Sequence, residues 1–214
     1  MARVAVASAL IPSITSGNVG KERLGDVIRL VFALLLPINM VLFFFPEPLL
    51  KMINPEYLAA TNPLKTYALA NTTMLMIGLI IAHIYASGNY KYTLLINTSV
   101  STTRVTLYTI LTPLYGAAGA ATAYLAGTLT ATALIAPKTY GIKAPWSKMI
   151  LSLTIAILIG VMLKLMISLL ALTTIIAIIT YLTLTYLIHI ALKLISKMEL
   201  VQLLRMLKTI IRVR

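Results

Sequence analysis

Four polar residues within one apolar segment have the types and the spacing to bind an anion. Asn97, Ser101, Arg104 and Tyr108 follow one another at intervals of four, three and four residues, so they share one face of an α-helix. An arginine near the bilayer centre costs about 2.5–3.5 kcal/mol on insertion scales, and it normally faces a bundle interior or a water-filled cavity. A guanidinium matches phosphate oxygens bidentately. The pattern favours a cationic contact for an anionic substrate; the alternative is a structural arginine bonded to helix carbonyls or hydroxyls.

The preceding apolar segment contains two weaker candidates for substrate binding, Asn71 and His83. On a helix they lie about 120° apart and do not form one site. His83 has the chemistry of a proton relay because imidazole titrates near neutrality, although a hydrogen bond between helices is the alternative. His189 is a weaker candidate for proton transfer because it approaches the predicted cytoplasmic interface.

No arrangement typical of an enzyme is present. The chain has no Cys, which excludes disulfides and thiol nucleophiles, and no spacing of metal ligands or phosphate-binding loop. We therefore expect no catalytic residue, no metal and no cofactor. None of the five acidic residues lies within an apolar segment, which argues against a proton- or sodium-coupled antiporter. These residues are Glu22, Asp26, Glu47, Glu56 and Glu199.

The composition indicates a protein whose solvent is lipid. Of the 214 residues, 60% are hydrophobic and 11% are charged, whereas soluble domains carry about 25% charged residues. The net charge of +13 would suggest nucleic acid in a soluble protein. Here the bases lie between apolar runs, which indicates membrane topology instead. We expect membrane lipids, and no nucleic acid, as partners.

Six segments have the length and apolarity of membrane-spanning helices, which predicts an all-α integral membrane bundle within residues 17–192. Pro113 and Gly116 divide a long uncharged stretch into two of them. Pro37 should kink the first helix and free backbone carbonyls. Gly119, Ala123 and Gly127 form a small-residue stripe that permits close helix packing. The six segments are 27–46, 64–87, 92–113, 117–136, 147–165 and 168–192.

The distribution of basic residues predicts one orientation. With the 15–26 loop in the cytoplasm, thirteen bases lie inside and three lie outside, which satisfies the positive-inside rule. The C-terminus is then cytoplasmic and the chain is a multi-pass protein of the plasma membrane. The three outer bases are Lys51, Lys65 and Lys164.

The two ends of the chain are not predicted to cross the membrane. Residues 1–16 are too few to cross a membrane, so they are either the end of a helix whose beginning is absent or an interfacial segment. Residues 193–214 form a basic tail. Within it, Ser196 and Glu199 have capping-box spacing, and Leu200 starts an apolar repeat at helical spacing. This predicts an amphipathic helix on an anionic leaflet; a helix that binds a partner protein is the alternative.

Several motifs resemble one family. Ala-Leu-Ile-Pro-Ser-Ile at 9–14 precedes a Gly/Lys/Glu loop and a span with a mid-helix Leu36-Pro37. Leu-Leu-Lys-Met-Ile-Asn-Pro-Glu-Tyr-Leu-Ala-Ala follows at 49–60, and Pro-Leu-Tyr-Gly-Ala-Ala-Gly-Ala-Ala at 113–121. In this order and spacing they resemble O-antigen-type flippases, the polysaccharide biosynthesis proteins of the multidrug/oligosaccharidyl-lipid/polysaccharide exporter (MATE-like) superfamily.

The resemblance covers the second half of that family. It implies a MATE-like C-terminal lobe and transport of a lipid-linked oligosaccharide, with Arg104 at the anionic head group. The first lobe has no counterpart here, so it implies a partner lobe from another chain or from self-association. The alternatives are a cation or drug antiporter of the same superfamily, and a non-transporting membrane subunit or truncated gene product.

Overall fold

The protein is built from helices. The computed structural model describes residues 21–170 and 174–195, and within these ranges it contains no strand. The helices are α1 (Lys21–Phe44), α2 (Pro46–Ile53), α3 (Thr61–Ala86), α4 (Tyr90–Ile135), α5 (Trp146–Leu170) and α6 (Thr174–Ala191), with 3₁₀ turns at Pro55–Ala60 and Ala136–Lys138. Five of them, α1 and α3 to α6, are long and apolar enough to cross a membrane, which confirms the predicted all-helical class. The expectations for residues 1–16 and 196–214 lie outside the described residues.

Helix α4 accounts for the difference between six predicted spans and five observed helices. Its 46 residues would extend about 69 Å if straight, more than twice a hydrocarbon core of about 30 Å. Gly116 breaks the helix with φ 55° and ψ −133°, a region open to glycine. The Tyr92 hydroxyl donates to the Leu134 carbonyl, 42 residues further along. Residues 90–115 and 117–135 therefore fold against each other at the predicted Pro113–Gly116 break.

Helix α1 forms the centre of the bundle. It packs against α3, α5 and α6, whereas α4 packs chiefly on α3. The side chains of Leu24, Ile28 and Leu36 on α1 are completely buried, as expected for a helix with neighbours on several sides. Helix α4 consequently lies at one edge of the bundle, with one face open.

The basic residues divide between the two ends of the bundle. At one end Lys65 pairs with Glu47, and Lys164 shares a cavity with Lys65. At the other end Arg29 donates to the Leu194 carbonyl at 2.6 Å. The end that holds Lys65 contains the three bases predicted to lie outside. Which end faces the cytoplasm remains a prediction from the charge count.

Pro37 creates a hydrogen-bonding gap in α1 that α6 fills. Proline has no N–H, so the Ala33 carbonyl loses its donor within the helix. His189 Nδ1 lies 2.8 Å from this carbonyl, and Nε2 lies 2.5 Å from the Ser152 hydroxyl. Because a carbonyl only accepts, Nδ1 carries the proton and Nε2 accepts from Ser152. Tyr186 donates to the neighbouring Leu34 carbonyl at 2.9 Å. These bonds join α1, α5 and α6, and they give His189 a structural role.

A double-mutant cycle tests this arrangement. We expect His189→Ala to lower the free energy of unfolding by about 2 kcal/mol, because it leaves a buried carbonyl and hydroxyl unpaired. In a Pro37→Ala background the cost should be smaller, since the restored backbone N–H can bond the Ala33 carbonyl. Unfolding in mixed micelles, followed by fluorescence of the single Trp146, measures both values. The control is Leu187→Ala at an exposed position of α6. Equal costs of His189→Ala in both backgrounds would contradict the assignment.

Candidate functional site

Arg104 lies on the first half of α4, and its side chain contacts both α3 and the second half of α4. Its Nη2 is 3.4 Å from the Thr128 hydroxyl and 3.4 Å from the Met74 sulfur. Its Cζ lies 4.3 Å from the centroid of the Tyr124 ring, within cation–π range. The side chain is half-buried. Protein therefore shelters the guanidinium, but the two polar contacts are long and one of them is a weak acceptor.

Gly127 makes room for the arginine side chain. A methyl group at this position would overlap the Arg104 side chain, and one at Gly119 would overlap the backbone of Leu111. The stripe of Gly119, Ala123 and Gly127 therefore brings the two halves of α4 into close contact, as small residues do in membranes. The contact between Gly127 and Arg104 could not be predicted from the sequence. Small residues at this spacing indicate that a helix packs closely, but they do not indicate which residue packs against them.

Among the described residues, no carboxylate pairs with the charge of Arg104. The chain has no acidic residue between Glu56 and Glu199. Arg104 forms no ion pair within the described residues, and its buried Nε has no hydrogen-bond partner there. A guanidinium remains charged at any accessible pH, and burial without an anion is unfavourable. The site therefore has the electrostatics of an anion-binding site, with a planar donor fork that suits phosphate.

An aromatic cavity adjoins the arginine. It has a volume of about 400 Å³, and its wall contains Tyr67, Tyr108 and Tyr124 together with small residues such as Ala117 and Ala120. The rings of Tyr67 and Tyr124 lie 4.8 Å apart. Tyr124 contacts the guanidinium and also lines the cavity, so the cationic group and the aromatic surface form one continuous site. We call these residues, with Arg104, the arginine–tyrosine site.

The four residues predicted on one face of α4 do not all come together. Tyr108 lines the aromatic cavity, whereas Asn97 lines a different cavity beside Tyr85 and Lys91. Asn97 and Ser101 are both exposed. All three lie on the same face of the helix as Arg104, at the edge of its buried surface. The long Arg104 side chain extends from this edge to Gly127, whereas the shorter side chains of Asn97 and Ser101 stay exposed.

The two weaker candidates also lie apart. The Asn71 amide donates to the Asn39 side-chain oxygen at 3.1 Å, and the Asn39 amide donates to the Leu35 carbonyl at 3.0 Å. Asn71 thus joins α3 to α1. His83 is half-buried and lies about 18 Å further along α3. The pair forms no common site, in agreement with their angular separation on the helix.

Comparison with known protein families, characterised proteins and solved structures finds no match for this chain. The arginine–tyrosine site is therefore the principal basis for a functional proposal. Its aromatic members Tyr67 and Tyr124 were missed by the sequence analysis. Tyrosines are common at membrane interfaces, so their presence alone gave no signal.

Two glycine substitutions test the packing of Arg104. We expect Gly127→Val to lower the free energy of unfolding by about 1–3 kcal/mol, because the added side chain overlaps the arginine. Gly78→Val is the matched control: it makes the same change within a membrane helix, where nothing lies within 4 Å of the added Cβ. Adding Arg104→Ala to Gly127→Val should recover part of the loss. Unfolding in mixed micelles measures these differences, and an equal cost at Gly78 would refute the packing role of Gly127.

Proposed function

We propose that the chain is one lobe of a membrane transporter that moves lipid-linked oligosaccharides, with Arg104 binding the pyrophosphate that joins lipid and sugar. The observation that carries this proposal is the charge of Arg104, which pairs with no carboxylate in the part of the chain that the structure describes. A pyrophosphate would supply the missing negative charge and accept the bidentate hydrogen bonds that a guanidinium offers. The motif at Pro113–Ala121 and its resemblance to flippases supply the substrate class.

The aromatic cavity suits the sugar part of such a substrate. Its volume of about 400 Å³ lies within the range of about 300–1,000 Å³ common for small-molecule sites. Tyrosine combines an apolar ring with a polar hydroxyl, which complements the C–H faces and hydroxyl groups of a sugar. Because Tyr124 contacts both Arg104 and the cavity, one substrate can place its phosphates at the guanidinium and its sugar against Tyr67.

The exposed polar residues of α4 favour the presence of a second lobe. Asn97, Ser101, Thr102 and Thr106 are exposed along this helix. Such side chains favour contacts with other helices or water over contacts with lipid. Helix α4 lies at the edge of the bundle, so a partner lobe packed there would enclose the Arg104 side of the protein. Another chain or a second copy of this one can supply that lobe.

Binding of labelled polyprenyl pyrophosphate sugar to the chain in nanodiscs tests the site. We expect Arg104→Gln to weaken binding about tenfold or more, since hydrogen bonds to charged groups contribute about 1.5–3 kcal/mol. Arg104→Lys should retain part of the affinity, because it keeps the charge and loses the planar fork. Lys51→Gln is the control, because it removes an exposed base outside the site. The uncharged polyprenol should bind weakly to every variant.

Equal binding by the wild type and Arg104→Gln, or equal binding of pyrophosphate and polyprenol, would show that the proposed site is wrong. Transport is then measured in liposomes as the rate at which labelled lipid reaches the opposite leaflet. Transport by the chain alone would show that its own copies supply the second lobe. If the chain neither binds nor transports the lipid, it is a non-transporting subunit and the flippase proposal fails.

A further inference from the structure

A second cavity lies at the end of the bundle that holds the three predicted outer bases. It has a volume of about 300 Å³ and lies between α1, α3 and α5. Its walls are apolar and its basic residues are Lys65 and Lys164. The apolar lining consists of Phe43, Phe44, Val161 and Leu165. This cavity shares no lining residue with the arginine–tyrosine site, so it is a separate feature of the molecule.

The aromatic wall of this cavity is fixed by close packing. A methyl group at Gly160 would overlap the Phe44 ring, so the missing side chain lets the ring lie directly against α5. Phe43 meets Phe44 edge to face, with ring centroids 5.2 Å apart, a favourable aromatic geometry. The cavity is thus a preformed surface, which lowers the entropic cost of binding a ligand.

The two lysines have different partners. Lys65 Nζ lies 3.1 Å from Glu47 Oε1, whereas Lys164 forms no such ion pair within the described residues and interacts with Glu47 only at longer range. Burial would raise the pKa of the Glu47 carboxyl, but its own backbone N–H and the two ammonium groups lower that pKa below its ordinary value. Glu47 is therefore ionised at neutral pH. Two lysines and one carboxylate leave one net positive charge at the cavity.

We propose that this cavity binds the phosphodiester head group of an anionic phospholipid, with Lys164 as the main contact to the phosphate. A phosphodiester carries one negative charge at neutral pH, which matches the net charge of the three side chains. Lys65 stays paired with Glu47 at the rim and contributes a second, weaker attraction. The main binding interaction is a charge-assisted hydrogen bond from the Lys164 ammonium to a phosphate oxygen.

The walls select a lipid over a free phosphate. Val161, Met162 and Leu165 are all more than 40% exposed along the outer side of α5. On a membrane helix such a surface meets acyl chains. A lipid can therefore place its phosphate at Lys164 and lay one acyl chain along this surface, whereas inorganic phosphate gains nothing from apolar walls. This site does not depend on the transport function proposed above, because it uses none of the same residues.

Native mass spectrometry of the protein from nanodiscs that contain phosphatidylcholine and phosphatidylglycerol tests the proposal. We expect the wild type to retain one phosphatidylglycerol in preference to phosphatidylcholine. Lys164→Gln should weaken this retention about tenfold, and Lys164→Arg should preserve it because the positive charge remains. Lys51→Gln is the matched control, since it removes an outer base that does not line the cavity. Equal losses for Lys164→Gln and Lys51→Gln would show general surface attraction and overturn the proposal.

A second pair of variants tests the cavity itself. Val161→Trp fills the wall and should reduce retention of phosphatidylglycerol. Leu158→Trp places the same side chain at an exposed position of α5 that does not line the cavity, and it should leave retention unchanged. Glycerophosphoglycerol, the soluble phosphodiester that remains when both acyl chains of phosphatidylglycerol are removed, is added as a competitor. Displacement of the lipid by millimolar glycerophosphoglycerol would mean that the site takes a soluble phosphate, and it would overturn the assignment to a lipid, as would retention of the lipid by Val161→Trp.

Discussion

The positive charge of Arg104 is the constraint on which the rest of this site depends. A guanidinium in the middle of a membrane helix must be sheltered, because lipid solvates it poorly. The fold provides that shelter by turning α4 back on itself at Gly116 and by leaving a gap at Gly127. It provides an aromatic face and a hydroxyl, and no carboxylate from residues 24–167 or 174–195 pairs with the guanidinium. The break in α4, the small-residue stripe and the tyrosines can all be understood as consequences of placing this one cation.

Several other polar groups inside the bundle have hydrogen-bond partners. The Ala33 carbonyl exposed by Pro37 is bonded by His189, and His189 is bonded in turn by Ser152. The Asn71 amide on α3 donates to the Asn39 side-chain oxygen on α1, and the Asn39 amide donates to the Leu35 carbonyl. A fully bonded network of this kind fixes helices relative to one another. Among the described residues, Arg104 Nε and the Tyr181 hydroxyl are buried without a hydrogen-bond partner, and Arg104 is the charged one of the two. Local departures from complete pairing are typical of functional sites.

Sequence periodicity predicted the all-helical class, but it did not predict which residues surround Arg104. The predicted break fell at Pro113–Gly116, where the backbone of Gly116 is not helical, because glycine and proline act through local geometry. The contact of Arg104 with Gly127 and Tyr124 depends on which helix lies opposite. A repeat of three and four residues identifies a face of one helix and carries no information about its neighbour. For the same reason Asn97 shares the stripe of Arg104 and yet lines a different cavity.

The two basic sites use different cations for physical reasons. Arg104 lies about 21 Å from the start of its helix, where its guanidinium contacts Thr128, Met74 and Tyr124. Lys164 lies near the end of α5, where a flexible stem can carry an ammonium toward the membrane surface. A lysine is suited to attract a phosphate as a compact point charge, while the planar fork of an arginine is suited to hold one in a defined orientation. A lysine near the membrane surface therefore suits the proposed lipid site, and an arginine in the middle of a helix suits the proposed site for an anionic substrate.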